Sequence, residues 1–504
     1  MKRTHFALVL LFALLLPIFA ACGAPAEETT TEPAEEAAEP AEEATEGETE
    51  PAEDATEGEA EPAEEGDAED ATEGDAEEGD AEPAEDATEG DAEPAEEGMT
   101  SDNLAVSSST YEGTLQYWVL GYQPGGGNRT GELMDAAVAA FMEANPNIQV
   151  EITGYTGDQA GFTKLTQAVQ GGQSVDVFRL PSDVLPLLVQ DELVAPIDDY
   201  LTEDDQADIF PNLIEAVQID GQAYAWPLWV PPVGMYLNLD VFEERGVEPP
   251  SEGWTYDEFV EIAKELTFTR ENGEEVFGYT ALVDPGVVNA WPFILSDGAL
   301  PLSEDNAQYT FDSPEAISGL TKLTDLALVH EVTPPDFGAQ TGEDIQTGFK
   351  DRKVFAMYSE PSGASSGYAT DGVNFDVIPM PTGDSGEPIT AGGIGFISVA
   401  ATEDEEKLQA SMDLARYLTS DQVAADVEGF YLAPGSRASI TVDDPISKFE
   451  PFVPNTYITP MIAEWPQIRT IIHPQIQNAI FGEITPEEAL TQPAEEINGI
   501  LADE

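Results

Sequence analysis

An alternation of strand and helix patterns runs through residues 114–152, which read TLQYWVLGYQPGGGNRTGELMDAAVAAFMEANPNIQVEI. Apolar residues alternate over 114–120, as in a half-buried strand, and a glycine-rich loop follows at 121–128. Residues 131–144 carry apolar side chains at helical spacing, and the alternation returns at 148–152. This stretch therefore predicts a strand, a helix and a second strand.

The same order continues toward the carboxyl terminus. A second helical pattern ends at Gly171 and Gly172, residues 175–180 predict a short buried strand, and Pro181 opens another helix. Strands that alternate with helices in this way are typical of a parallel sheet with helices on both faces. We therefore expect an α/β fold.

Prolines divide the middle of the chain. A tryptophan-rich segment runs into prolines at 231–232, which predict a stiff crossing between elements. A strand is expected to resume at 233–238, and two more apolar strands are expected at 375–380 and 394–400.

Three helix starts are well marked. Thr255 and Glu258 predict a capping box, and Trp254 can pack across it as a hydrophobic staple. Ser313 and Thr485 each stand directly before a proline and an acidic residue, which is a favourable order for a helix N-terminus.

The composition excludes several function classes. The 504 residues include 101 Asp and Glu against 17 Lys and Arg, a formal net charge of −84. Such a surface repels nucleic acid and anionic lipid, so we expect no nucleic-acid partner. Because the 3 histidines and 1 cysteine form no metal-ligand pattern and no phosphate-binding glycine loop is apparent, we expect neither a metal nor a cofactor.

Residues 1–21 have the layout of a lipoprotein signal peptide. Two basic residues precede an apolar run of about 14 residues, which is too short for a comfortable membrane span. Residues 19–22 read FAAC and resemble the bacterial lipobox, although phenylalanine replaces the usual leucine. Since two acyl chains give stable anchoring, Cys22 predicts an extracytoplasmic protein held at the outer face of the cell membrane. An ordinary signal peptide with an incidental cysteine is the alternative.

Residues 22–110 predict an acidic, disordered linker that begins at this cysteine. Residues 23–98 contain only Ala, Glu, Asp, Pro, Thr and Gly, so they cannot build a hydrophobic core. The like charges extend such a chain, which suits a flexible tether. An acidic tail that binds a surface is the alternative.

Several segments of the remaining body resemble the family 1 extracellular solute-binding proteins, the receptors of ABC importers that are related to maltose-binding protein. The main signature consists of YLNLDVF at 236–242, PP at 249–250 and WTYDEF at 254–259. Further similar segments follow in the family order at 141–150, 175–177, 353–358, 391–396 and 417–421. The resemblance spans about residues 114–490, nearly the whole body.

This resemblance implies a two-lobed periplasmic-binding-protein type 2 fold, with a hinge and with lobes that are discontinuous in sequence. Crossing segments are expected near residues 230–233, 378–381 and 430–434. The expected N-lobe and C-lobe comprise residues 111–230 plus 379–430 and residues 231–378 plus 431–504. The resemblance also implies a ligand in the cleft, an ABC permease as partner and no enzyme activity, and we expect a monomer.

Carbohydrate binding needs flat apolar rings for the C–H faces of the sugar and planar polar groups for its hydroxyls. The candidates at strand ends and lobe junctions are Trp118, Tyr122, Gln123, Asp183, Trp229, Trp291, Glu360, Gly392, Gly393 and Trp465. The resemblance implies that Trp465 stacks on the ligand, with little contribution to folding, and that Asp183 accepts hydrogen bonds from hydroxyls. Gly392 and Gly393 would let the backbone approach the ligand.

Several of these residues have a structural alternative. Trp226 and Trp291 fit a hydrophobic core as well as a cleft, and Trp254 fits a helix staple better than a ligand contact. Asp183 could serve only as an acid in the first turn of a helix.

The leading prediction is a lipid-anchored receptor that delivers a sugar or oligosaccharide to an ABC permease. A polyamine or other cationic solute is the alternative ligand, because the body is acidic, although it requires several cleft carboxylates. A phosphorylated or anionic ligand is disfavoured, because the sequence offers few cations near the expected cleft, the only obvious ones being Arg129, Arg179 and Arg437.

Two further alternatives belong to other classes. Residues 363–367 read GASSG and match the nucleophile-elbow spacing of a surface hydrolase, with His473 later in the chain. The match is weak because no predicted strand runs directly into it and because His473 falls inside a predicted helix. A surface adhesin, which would not close on a small ligand, is the other alternative.

Overall fold

The computed structural model describes residues 103–157, 159–171, 175–180 and 184–502. The predicted signal peptide, Cys22, most of the predicted linker and Asp183 lie outside the described residues. The predicted alternation of strands and helices is confirmed in the described part of the chain.

The strands of the described residues are, in chain order, β1 (Gly113–Leu120), β2 (Ile148–Tyr155), β3 (Val177–Phe178), β4 (Gln218–Ile219), β5 (Gln222–Ala223), β6 (Trp226–Trp229), β7 (Val233–Asn238), β8 (Phe268–Thr269), β9 (Glu275–Ala281), β10 (Phe355–Pro361), β11 (Phe375–Ile378), β12 (Thr390–Gly392), β13 (Gly395–Val399) and β14 (Thr456–Ile458).

The helices are α1 (Arg129–Ala144), α2 (Gln159–Gln170), α3 (Leu185–Gln190), α4 (Glu203–Asp208), α5 (Pro211–Ala216), α6 (Leu239–Arg245), α7 (Tyr256–Glu265), α8 (Trp291–Leu295), α9 (Pro314–Leu328), α10 (Gly342–Lys350), α11 (Ser365–Thr370), α12 (Glu405–Leu418), α13 (Asp421–Asp426), α14 (Trp465–Ile480), α15 (Pro486–Thr491) and α16 (Ala494–Leu501). Short 3₁₀ segments occur at Asp198–Tyr200, Ser362–Ala364 and Ile446–Asn455.

The first sheet has the strand order β2-β1-β3-β13-β6. The predicted parallel pairing is confirmed for β1 with β2 and for β1 with β3. β13, for which the sequence predicted a strand without a direction, pairs antiparallel with both β3 and β6. The reason is topological: β13 follows a crossing from the second sheet instead of a helix that returns over the first sheet.

The second sheet has the strand order β11-β7-β10-β9-β8, with β10 parallel to β9 and antiparallel to β7. Successive residues of β7 point to opposite faces, so Met235 and Leu237 belong to one hydrophobic core while Tyr236 belongs to another. The middle of this sheet is therefore buried on both faces, which explains why every residue of β7 is buried.

Each sheet has its own main hydrophobic core. The first core gathers buried residues of the first sheet, α1 and α12, and it includes Trp226, which is fully buried. The second core contains Phe259, Tyr279 and Phe293, whose ring centroids lie 5.2 to 5.4 Å apart. We call the part built on the first sheet the first lobe and the part built on the second sheet the second lobe.

The chain crosses between the lobes at residues 230–232, between β6 and β7, and returns within residues 379–394, between β11 and β13. The lobe boundaries given above stay a prediction. Near the crossings the packing departs from them, because Met380 and Ala391 lie in the second core and Tyr431 and Ile440 in the first.

The predicted helix starts are confirmed. The Thr255 hydroxyl oxygen accepts a hydrogen bond from the Glu258 N–H at 3.3 Å, while Glu258 Oε2 accepts one from the Thr255 N–H at 2.9 Å. Trp254 packs its ring on Phe259 at 5.6 Å and donates its indole N–H to the Pro379 carbonyl at 2.9 Å. Trp254 therefore holds α7 to the beginning of the return crossing.

Candidate ligand site at the lobe junction

A cavity of about 280 Å³ lies against both crossings. It is lined by Pro231, Pro285, Gly286, Val287, Val288, Asn289, Trp291, Pro361, Gly393, Thr459, Trp465, Arg469 and His473. Pro231 comes from the first crossing and Gly393 from the return crossing, whereas the other lining residues follow strands or belong to helices of the second lobe. We call this space the junction cavity.

Two tryptophans form the aromatic wall of the junction cavity. Trp291 opens α8 and Trp465 opens α14, in each case with a proline as the next residue, which suits the first turn of a helix. Their ring centroids lie 5.8 Å apart at an interplanar angle of 76°. Both rings also belong to the second core, with only 2% of Trp291 and 3% of Trp465 exposed. Trp291 therefore combines the two alternatives that the sequence left open, since it lines a cavity and also packs in a hydrophobic core.

The face of α14 that meets the cavity follows from helical spacing. Trp465, Arg469 and His473 stand four residues apart, so they share one side of the helix. The His473 ring packs on Trp291 with a centroid separation of 5.7 Å and a tilt of 30°. The helix thus places an aromatic ring, a guanidinium and an imidazole along a single wall.

Several buried polar atoms of this wall have no hydrogen-bond partner among the described residues. They are Oδ1 of Asn289, Nε1 of Trp291 and both ring nitrogens of His473. A buried polar group without a partner costs about 1–3 kcal/mol, so native proteins leave few of them. Their concentration beside one cavity indicates a place where a polar molecule completes the hydrogen bonding.

Burial also fixes the charge state of His473. Its pKa falls from 6.5 to about 4, mainly because burial disfavours the charged form; the charge of Arg469 adds to this effect and that of Asp284 opposes it. His473 is therefore a neutral imidazole near neutral pH, with one donor and one acceptor nitrogen. Such a group suits a hydroxyl, which can both donate and accept.

Glu360 lies behind the cavity wall. Its Oε2 accepts a hydrogen bond from Asn289 Nδ2 at 2.5 Å and another from the Tyr358 hydroxyl. Burial raises the pKa of the Glu360 carboxyl, while these two donors act against that rise. Its neighbours Asn289 and Pro361 line the cavity, whereas Glu360 itself does not. The predicted direct contact of Glu360 with a ligand remains untested.

The predicted residues of the first lobe lie apart from the junction-cavity wall. The Trp118 ring faces the Lys164 ammonium at 5.2 Å, and the Trp229 ring faces the Arg179 guanidinium at 4.4 Å. Because β6 runs parallel to β3, Arg179 and Trp229 stand at the same carboxyl edge of the first sheet. Ligands of open α/β sheets bind at such edges, so Trp118 and Trp229 stay predicted ligand contacts.

The loop after β1 contains two further predicted residues. The Tyr122 hydroxyl donates a hydrogen bond to Asp135 Oδ1 at 2.6 Å. Burial raises the pKa of Tyr122 to about 12, and the bond to Asp135 adds to the rise. Gln123 lies against Gly127, because a Cβ added at Gly127 would be 3.0 Å from the Cβ of Gln123. That Tyr122 and Gln123 contact the ligand stays a prediction.

The two predicted glycines differ in their surroundings. A Cβ on Gly392 would lie 3.0 Å from the Pro231 carbonyl oxygen and 3.0 Å from Thr456, so the absence of a side chain serves the packing of the two crossings. A Cβ on Gly393 would meet no atom within 4 Å, and Gly393 lines the junction cavity. Backbone approach to a ligand therefore fits Gly393 better than Gly392.

The sequence reasoning did not identify Asn289 or Arg469, and it considered His473 only as part of a hydrolase. The four-residue spacing from Trp465 to Arg469 and His473 was the available signal, because it puts all three on one helix face. No comparable signal exists for Asn289, since its place depends on contacts with β10, which lies about seventy residues later in the chain.

The fold does not favour the hydrolase alternative. The 3₁₀ turn Ser362–Ala364 separates β10 from Ser365, and Ser365 begins α11 instead of a strand-to-helix elbow. Its hydroxyl donates to the Ser362 carbonyl at 2.7 Å. Within the described ranges, no group of three or more His, Cys, Asp or Glu could hold a metal ion. In the same part of the chain, no helix is long and apolar enough to cross a membrane.

Comparisons with known proteins agree with this architecture. A family model described as bacterial extracellular solute-binding protein matches residues 136–441. A protein of Brucella abortus, named only as a binding protein, is 22% identical over 406 residues, which cover 79% of this chain and 96% of that protein. The maltotriose-binding protein of Pyrococcus abyssi is 25% identical over 241 residues, which cover 47% of this chain and 49% of that protein.

A solved structure extends the comparison to the fold. The cyclic alpha-maltosyl-1,6-maltose binding protein of Arthrobacter globiformis has a TM-score of 0.65 at 19% identity, covering 78% of this chain and 100% of that chain. The fold is therefore that of the two-lobed solute receptors. Since the family model matches more than half of the sequence, the chain belongs to the bacterial extracellular solute-binding proteins, which are binding proteins and not enzymes.

Proposed function

We propose that this protein is a receptor that binds a sugar or oligosaccharide at the junction cavity and delivers it to an ABC permease. One observation carries the proposal: the rings of Trp291 and Trp465 share a cavity wall with unpartnered polar atoms of Asn289, Trp291 and His473. Sugars present C–H faces to aromatic rings and hydroxyls that both donate and accept hydrogen bonds.

The names of two similar proteins support an α-glucan as the ligand. The Pyrococcus abyssi protein is named for maltotriose, and the Arthrobacter globiformis protein for a cyclic α-maltosyl maltose. Maltotriose is therefore the first probe. The 280 Å³ cavity would receive one part of such an oligosaccharide, and the remainder would extend along the carboxyl edge of the first sheet toward Trp229.

A polyamine is the second candidate, because the chain carries a formal net charge of −84. The junction cavity argues against it. Its wall includes the Arg469 side chain and, among the described residues, neither an Asp nor a Glu. A multiply charged cation requires carboxylates at close range to replace its hydration.

Thermal unfolding of the full chain decides between the two ligands. A molecule that binds only the folded state stabilises it by about 2.7 kcal/mol at one hundred times its dissociation constant. We expect maltose, maltotriose or maltotetraose to raise the melting temperature and spermidine to leave it unchanged. A rise with spermidine and none with any sugar of the panel would reject the sugar proposal.

The anchoring part of the proposal rests on Cys22 and on the coreless acidic segment that follows it. Cys22→Ala should release the protein from the membrane fraction and leave maltotriose binding intact, because the cysteine precedes the folded body by some eighty residues. Membrane fractionation of cells that produce each form tests this. A variant that stays in the membrane fraction would exclude the lipid anchor.

The two lobes should close on the ligand. A sugar that contacts both lobes favours the closed state by its higher affinity for that state, and residues 230–232 give the chain a short crossing to bend. Small-angle scattering should then show a smaller radius of gyration at saturating maltotriose. An unchanged radius with calorimetrically proven binding would argue for a rigid receptor.

A further inference from the structure

Asn289 occupies a special position in the junction cavity. It stands between β9 and α8, is 2% exposed, and lines the cavity beside Trp291. Its side-chain Nδ2 donates to the Ser359 main-chain carbonyl at 3.2 Å and to Glu360 Oε2 at 2.5 Å. The main-chain carbonyl of Asn289 accepts a hydrogen bond from the Ser359 hydroxyl at 2.8 Å. Three hydrogen bonds thus join Asn289 to the end of β10.

These bonds fix the orientation of the Asn289 amide. The Ser359 carbonyl and the Glu360 carboxylate oxygen are both acceptors, so a flipped amide would place Oδ1 against two acceptors. The amide nitrogen must therefore face β10. Oδ1 is left as a buried acceptor without a partner among the described residues. Because Asn289 lines the junction cavity, an O–H or N–H donor of a molecule bound there would satisfy this acceptor.

We propose that Asn289 Oδ1 is the specificity-determining acceptor for one hydroxyl of the bound sugar, and that Glu360 is the positioning residue that holds it in that orientation. The inference rests on the proposed function. It also assigns the carboxylate a role different from the direct ligand contact that its place in the sequence predicts.

Glu360 is suited to positioning because its own surroundings are fixed. It is partly buried at the end of β10, and Tyr358 donates a second hydrogen bond to the same oxygen that holds Asn289. Glu360→Gln keeps a side-chain oxygen that can accept from Asn289, whereas Glu360→Ala removes the acceptor altogether. The pair of variants therefore separates the acceptor function from the volume of the side chain.

The chain offers a matched control in Asn238. This residue is 1% exposed, its Nδ2 donates to the Phe349 carbonyl at 2.7 Å, and its Oδ1 also has no partner among the described residues. It lies at the end of β7 and does not line the junction cavity. Asn238→Ala therefore reports what the loss of a buried amide does to folding alone.

Calorimetry of the full chain with maltotriose and a set of its monodeoxy analogues tests the proposal. In the unmodified protein, the analogue that lacks the hydroxyl facing Oδ1 should bind roughly tenfold more weakly than maltotriose. In Asn289→Ala this difference in affinity should disappear, because neither maltotriose nor the analogue can then form the hydrogen bond to Oδ1. Glu360→Ala should reduce the difference, and Glu360→Gln should restore most of it.

A merely structural role would give another pattern. Asn289→Ala would then weaken every analogue equally and keep the ratios of the unmodified protein, and that result would overturn the proposal. Asn238→Ala should keep those ratios even if its melting temperature falls, and a loss of discrimination there would also count against Asn289. If the unmodified protein bound no sugar of the panel, the proposed function itself would fail, and this inference with it.

Discussion

The tryptophans of the two lobes are used in different ways. In the first lobe, Trp118 and Trp229 each have a ring face covered by a cation of the same chain, at 5.2 Å for Lys164 and 4.4 Å for Arg179. In the second lobe, Trp291 and Trp465 pack edge to face against each other and line the junction cavity. Among the described residues, no cation lies over the ring of either tryptophan of the second pair.

This difference shows that an aromatic residue at a predicted cleft position is not by itself an open binding surface. A cation over a ring contributes about 0.5–1 kcal/mol at an exposed site, which a ligand must replace before it can occupy that face. The second-lobe tryptophans have neighbouring polar atoms that lack partners. We therefore expect the second lobe to supply more of the binding energy.

Trp465→Ala should have the largest effect on the second-lobe side of this comparison. Loss of a buried indole typically costs about 3–5 kcal/mol of stability, and loss of an aromatic anchor weakens binding by thirtyfold or more. With 3% of Trp465 exposed, both effects are expected, so the expectation of little loss of folding is revised. Urea unfolding and calorimetry with maltotriose measure the two effects separately.

Trp465→Phe is the control for this variant, because it keeps an aromatic ring on the cavity wall. It should recover much of the binding lost in Trp465→Ala. If Trp465→Ala lost stability but bound maltotriose with unchanged affinity, Trp465 would be a core residue only, and the preference for the second lobe would fall.

The acid stability of the cavity wall should depend on His473. Its pKa is about 4 in the folded protein against 6.5 for the free side chain. Between these pH values the unfolded chain binds a proton that the folded chain rejects. The stability from neutral His473 is therefore complete above pH 6.5 and is lost as the pH falls toward 4, by at most about 3 kcal/mol.

His473→Gln removes this titration and should flatten the rise of stability between pH 4.5 and 6.5. The unmodified protein and His473→Gln must be compared directly, because other groups also make stability depend on pH. Burial raises the pKa of the Glu360 carboxyl, so its contribution to stability falls as the pH rises, opposite to that of His473. Urea unfolding at several pH values gives the two slopes. Identical slopes would mean that His473 titrates like an exposed histidine.

Gly395→Ala probes the first-lobe side. A Cβ at Gly395 would lie 2.2 Å from Nε1 of Trp229, so the indole would have to move away from its stacked position on Arg179. Overpacking of this kind costs about 1–3 kcal/mol. We expect a lower melting temperature and a smaller loss of maltotriose affinity than for Trp465→Ala.

Gly393→Ala is the matched control for stability only, because the same change two residues earlier meets no atom within 4 Å but alters a residue that lines the junction cavity. Its stability should stay within about 0.5 kcal/mol of the unmodified protein. A loss of affinity in Gly395→Ala larger than in Trp465→Ala would reverse the comparison between the lobes.

Lys164→Met should have the smallest effect. It removes the cation over Trp118 and keeps an apolar side chain of similar length, so the expected loss of stability is below about 1 kcal/mol. Maltotriose affinity should be unchanged or slightly improved, because a ligand then has no cation–π contact to displace from the Trp118 ring. A tenfold loss of affinity would instead show that Lys164 itself contacts the sugar.

Much of the fold was predictable because its signals are local. The capping box of α7 depends on residues three positions apart and forms as expected, and α15 begins at Pro486 directly after Thr485 as expected. The alternation in β1 and the prolines at residues 231–232 depend only on neighbours along the chain. The antiparallel direction of β13 was not predictable in this way, since it depends on where the chain re-enters the first sheet.

The candidate site was likewise predictable only in part. Residue types together with the family resemblance pointed to Trp291, Gly393 and Trp465. The four-residue spacing in α14 that puts His473 on the same face as Trp465 was present in the sequence but was not used. Only the tertiary structure brought Asn289 against Glu360, put Arg179 on Trp229, and buried Trp465 as deeply as a core residue. The physical reason is that a sequence pattern fixes which side of an element is apolar, whereas the partner of each side chain depends on how distant elements pack together.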